Sequence, residues 1–262
     1  MNKPPQPQRV DELERYYNPI EKCNRLVAGL FLGGALLSVA VLYSDYISYT
    51  WLQQILTALF ILVVLSHAVL SHYNSFFLIP SVEEIRRKQL LSNAFDVPLT
   101  PEQTSRYYNN EIQPSIQRLG ASVLENSLFA KNVCREMAKR ERVRISIYTF
   151  IWIIALIYRN TDLELILILT QVLFSAEIFS RFIKIEILRY KNNTVYNGLY
   201  SYFMHQISSD QNLGIADILY WFASYESAKS AASIQQSSKI FHNLNPKLSK
   251  EWDQIRQQLH IN

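Results

Sequence analysis

Few residues of this chain stand in a pattern that could do chemistry. The five histidines, His67, His72, His205, His242 and His260, form no HxxxH or HExxH arrangement. His67 and His72 are five positions apart, so a helix does not stack them on one face. A satisfied polar contact suits them better than a ligand or proton-relay role. The two cysteines, Cys23 and Cys134, lie far apart with no CxxC partner. That argues against a disulfide scaffold or zinc site and fits a reducing compartment. No GxSxG, Walker or HD-type motif occurs, and the six glycines make no phosphate-cradling loop. The chain does not read as an enzyme: no catalytic residue, metal ligand or cofactor is expected.

Three groups of residues invite a role of another kind. The first is "RYYNNE", Arg106 to Glu111, a polar knot between long apolar runs. Aromatic faces stack on bases, asparagine offers paired donors and acceptors, and arginine meets phosphate. Arg106, Tyr107, Tyr108 and Asn109 therefore suit a small nucleotide signal, but equally a protein contact or a capped loop packed by its tyrosines. The second is Glu177, preceded by twelve uncharged residues and by Gln171 six positions earlier. An ionised residue at membrane depth faces a bundle interior or a watery pathway. Glu177 is expected to line such a pathway with Gln171, or to pair with Arg181 one turn on, and the two are compatible. The third is Gly29, Gly33 and Gly34, with Ala28 and Ala35, which permit close helix approach within the chain or between copies.

The elements that must hold these residues are dominated by apolar runs. The mean hydropathy of −0.02 hides them because they are segregated. Leu26 to Tyr43, "LVAGLFLGGALLSVAVLY", has no charge; as a helix it covers about 27 Å, close to a hydrocarbon core of about 30 Å. From Tyr46 to Val82 there is no Asp, Glu, Lys or Arg, and Pro80 marks an end or bend. A second pair, Ile145 to Tyr158 and Leu165 to Phe179, is shorter. Short connectors make each pair a hairpin. Thirteen cationic residues flank one side of the four runs: Lys22, Arg25, Arg86, Arg87, Lys88, Lys139, Arg140, Arg142, Arg144, Arg181, Lys184, Arg189 and Lys191. Only Arg159 flanks the other, so the positive-inside rule places both termini and the polar middle in the cytoplasm. The sequon-like "NNT" at Asn192 then falls on a side where glycosylation does not occur.

The expected fold is all-α: four transmembrane helices in two hairpins, plus cytoplasmic helical regions. The segments are a flexible leader over 1–20, hairpins over 21–80 and 145–188, a helical middle over 81–144, and a helical C-terminal region over 189–262. In the middle, Ser81 opens a helix, Pro98 to Pro114 is loop, and Ser115 to Tyr158 is one long helix with Ile116, Leu119, Val123, Leu124, Leu128, Val133 and Met137 along its apolar stripe. After Tyr190, short amphipathic helices such as Ile215–Ala232 and Ser249–Leu259 are expected.

Two transmembrane hairpins separated by "LLSNAFDVPLTPEQTSRYYNNEI" and "RLGASVLENSLFAKNVCREM" resemble the bacterial S-4TM family of four-helix pore-forming effectors, over roughly residues 18 to 230. The resemblance implies an inner-membrane effector of an antiphage, abortive-infection system. Such an effector oligomerises and permeabilises or depolarises the membrane on an intracellular signal. The expected partners are the lipid bilayer, further copies of the chain, and a nucleotide second messenger or cytoplasmic defence-system partner; no DNA is expected. A non-conducting scaffold or sensor that recruits a cytoplasmic partner is the alternative.

Overall fold

The structure, a computed structural model, describes residues 10–46, 49–101, 104–105, 112–157, 168, 176–205 and 211–261. Among them one two-residue antiparallel pairing, Val10–Asp11 (β1) with Thr104–Ser105 (β2), is the only extended structure, and the fold is all-α as the sequence predicts. The helices are α1 (Tyr17–Leu42), α2 (Thr50–Tyr73), α3 (Ile79–Phe95), α4 (Ile116–Ile157), α5 (Arg181–His205), α6 (Gln211–Ala232) and α7 (Ser238–Gln258).

Pro80 does not end the second helix. A π-turn, Asn74–Leu78, joins α2 to α3, and the Ile79 N–H bonds the Asn74 carbonyl five residues back. Proline lacks a donor and crowds the carbonyl four residues earlier; the wider turn carries the chain past that constraint. Ser81 is consequently inside a helical run and does not cap one. The run ends at Asp96, whose φ of 54° is left-handed, with the Val97 N–H on the Ser92 carbonyl at 3.2 Å.

Two helices, α1 and the continuous run Thr50–Phe95, are long and apolar enough to cross a membrane. The sequence reading expects four. The third apolar run is helical from Ile145 to Ile157, where the described residues stop, and this described end of α4 rises about 20 Å. An 18-residue window that ends at Ile157 begins at Arg140 and takes in Arg140, Glu141, Arg142 and Arg144. Most of the fourth run lies outside the described residues. The long helix itself appears as expected: α4 has 42 residues, and the Ser115 hydroxyl accepts from the Arg118 N–H at 3.2 Å as its N-cap.

The chain divides into two compact units. One comprises Met1–Asn18, Pro80–Arg135 and Ile187–Asn262, so the leader, middle and C-terminal segments share one body. Its core gathers Leu90 and Ala94 of α3, Leu119, Val123, Leu124 and Leu128 of α4, Val195 and Leu199 of α5, Tyr225 of α6, and Trp252 and Ile255 of α7. The α7 helix is eleven residues longer at its start than Ser249 and accommodates Pro246; Ser237 caps it, accepting from the Ile240 N–H at 3.4 Å. Within this unit the Trp221 indole lies directly against Gly198, so that a Cβ there would overlap the ring. Gly198→Ala is expected to destabilise the protein by about 1–3 kcal/mol. A thermal melt of the full chain checks this; an unchanged midpoint would mean that the indole swings aside freely.

The other unit comprises Pro19–Ile79 and Glu136–Glu186. It contains most of α1, all of α2, the end of α4 and the start of α5.

Candidate functional site

In the second unit, α1 and α2 form an antiparallel hairpin whose contacts can be followed from base to tip. The Asn74 amide donates to Asn24 Oδ1 at 2.7 Å, and the Cys23 thiol points to the Leu70 carbonyl at 3.7 Å. Phe31 and His67 rings meet at 6.0 Å, and a Cβ on Gly34 would touch Val63 at 3.6 Å. At the tip the Gln53 amide donates to the Ser44 carbonyl at 2.8 Å, and the buried Ser44 hydroxyl returns to the Val41 carbonyl. One polar layer at the base and one at the tip therefore set the register. Between them α2 buries no residue: Ile55, Leu59, Leu62, Leu65 and Val69 are all exposed. A helix of that composition with no buried residue presents an extended exposed apolar surface.

The same unit holds α4 to α5 by charge. Glu141 is only 6% exposed, and its carboxylate accepts from Arg144 Nη1 at 2.9 and 3.1 Å while Arg181 Nε lies at 3.5 Å. Arg142 Nε donates to Glu186 at 2.7 Å. A lone carboxylate in the basic run "KRERVR" is thus a bridge between helices. Sequence reasoning missed this role; the only local signal is the three-residue step from Glu141 to Arg144.

The residues singled out by sequence fare differently. Arg106, Tyr107, Tyr108, Asn109 and Gln171 lie outside the described residues, and of Glu177 only the backbone is described, in a second π-turn, Ala176–Ser180. Gly34 packs inside the hairpin, whereas Gly29 and Gly33 meet nothing within 4 Å among the described residues. His67 sits against Phe31, and His72 stacks on Phe76 at 5.6 Å. No group of His, Cys, Asp or Glu among the described residues could hold a metal ion.

In the first unit, two partly buried polar groupings stand out. Arg87 donates to Glu226 at 2.8 Å, and Lys229 lies 3.4 Å from the same carboxylate. Burial pulls the Lys229 ammonium down, but Glu226, Glu83 and Tyr17 more than offset it and hold the pKa above its ordinary value. Lys131 lies 3.1 Å over the Tyr196 ring, and burial lowers its pKa to about 8, with Glu251 opposing. Asn192 is fully buried, with neither side-chain atom hydrogen-bonded among the described residues, so its sequon-like position is closed to glycosylation in the folded unit. These groups tie helices together; none is arranged as nucleophile, base and orienter.

Comparison with protein-family models, with curated proteins and with solved structures finds no match.

Proposed function

We propose that the chain is a multi-pass membrane protein: an inner-membrane effector of a bacterial antiphage system that oligomerises and permeabilises or depolarises the membrane when an intracellular signal arrives. The membrane part rests on α2. None of its residues is buried, and Trp51 and Tyr73, both exposed, stand 22 residues apart. That is about 33 Å along a helix, the separation of the two aromatic belts of a bilayer. The effector part is supported by the resemblance to S-4TM effectors. In this reading both termini are cytoplasmic, and Ile145–Tyr158 and Leu165–Phe179 complete a second hairpin. Arg106, Tyr107, Tyr108 and Asn109 act as sensor or hinge, and Gln171 and Glu177 line the pathway. Gly29 and Gly33, open on α1, are where another copy can approach.

The second reading, a non-conducting scaffold or sensor, is favoured by one observation. In the first unit α6 exposes Leu213, Leu219 and Tyr220, apolar side chains available to a partner. Ion flux separates the two. Purified protein in vesicles is expected to dissipate an imposed potential once triggered, and to do so as an oligomer. Vesicles that stay polarised at every protein density and with every candidate trigger would sink the effector reading and leave the scaffold.

A further inference from the structure

Among the described residues the junction of α4 and α5 carries more cation than its carboxylates absorb. Lys139, Arg140, Arg142, Arg144, Arg181 and Lys184 stand against Glu136, Glu141 and Glu186. Lys139 takes Glu136, Arg142 takes Glu186, and Arg144 and Arg181 share Glu141. Arg140 and Lys184 have no ion partner among the described residues.

Helical spacing gives Arg140 a second property. Val143, Ile147, Phe150, Ile154 and Ile157 follow it at steps of three and four, so they form one stripe of α4, and all five are exposed. On α5 the exposed Ile183 adjoins Lys184. An uncovered apolar stripe that terminates in arginine matches a helix leaving hydrocarbon at the level of lipid phosphates, where basic side chains are attracted to anionic headgroups. A soluble anion would need the charge but not the stripe.

We propose that this foot of α4 and α5 binds anionic phospholipid headgroups, with Arg140 on α4 and Lys184 on α5 as phosphate ligands. The proposal rests on the membrane reading and adds its lipid partner. Guanidinium and ammonium supply direct phosphate bonds. Glu141 keeps its two arginines oriented, and the apolar stripe holds the acyl chains.

The test uses the full chain reconstituted in vesicles of phosphatidylcholine with or without phosphatidylglycerol, then released in mild detergent for native mass spectrometry of retained lipid. Retained phosphatidylglycerol is expected to fall about 30-fold in affinity in Arg140→Gln/Lys184→Gln, with phosphatidylcholine unaffected. The charge-preserving Arg140→Lys/Lys184→Arg variant should keep most of it, which separates charge from folding. Equal retention by the glutamine variant overturns the proposal. So does full displacement of the lipid by inorganic phosphate at the same concentration, which would mark a soluble-anion site. A change of oligomeric mass with lipid retention intact would make the stripe a contact between copies. Failure to enter vesicles at all would sink the membrane reading itself; entry without a phosphatidylglycerol preference would sink this proposal alone.

Discussion

If α2 spans a membrane as proposed, Leu62→Arg is expected to expel it. Leu62 is at the middle of α2 and 61% exposed, so an arginine there would meet lipid and not a neighbouring helix. An arginine at the centre of a span costs about 2.5–3.5 kcal/mol on insertion scales, and the lost leucine adds about 0.5 kcal/mol. Together these shift the insertion equilibrium by more than about a hundredfold. On the surface of a soluble protein the same change would stay within about 0.5 kcal/mol. Alkaline extraction of membranes, with a topology reporter in the connector after Tyr43, reads the difference. The Leu62→Ala variant should stay inserted. If the arginine variant remains in the pellet with an unaltered reporter, α2 does not span.

Trp252→Ala should open the first unit. Trp252 is fully buried in the core shared by α3, α4, α5, α6 and α7, and truncating a buried tryptophan costs about 3–5 kcal/mol. A domain's whole stability is about 5–15 kcal/mol, so little would remain. Cys134 supplies a local reporter. It is fully buried in the same unit, and burial pushes its thiol up to about 12, which keeps it unreactive while the unit is closed. In a Cys23→Ser background, thiol labelling should accelerate by about two to four orders of magnitude in Trp252→Ala. Trp252→Phe should accelerate it far less. Labelling at the unaltered rate would show that Trp252 does not hold the unit together.

Several features of this protein were readable one segment at a time. The charge-free runs at Leu26–Tyr43 and Tyr46–Val82 follow from composition, because the cost of placing each residue in hydrocarbon is nearly local and additive. The start and stripe of α4 were equally local. Ser115 caps it, and Leu119, Val123, Leu124, Leu128 and Val133 recur at helical spacing and are all buried. The rule that proline ends a helix was local too, and it failed at Pro80. Whether a π-turn can absorb the missing bond depends on what the helix packs against, here the Asn74–Asn24 contact across the hairpin.

Tertiary structure decided what lies beyond one turn of helix. Glu141 meets Arg181 forty residues away, and Arg87 meets Glu226 across 139 residues. Asn192 and Asn193 are the same residue type in the same helix, yet one is fully buried and the other exposed. The helical period says that neighbours point apart, but not which of them faces the core. That choice is made when Pro80–Arg135 and Ile187–Asn262 close on each other as one body. Closing loops of such length depends on chain entropy and on the fit of whole faces, quantities that no local window of residues contains.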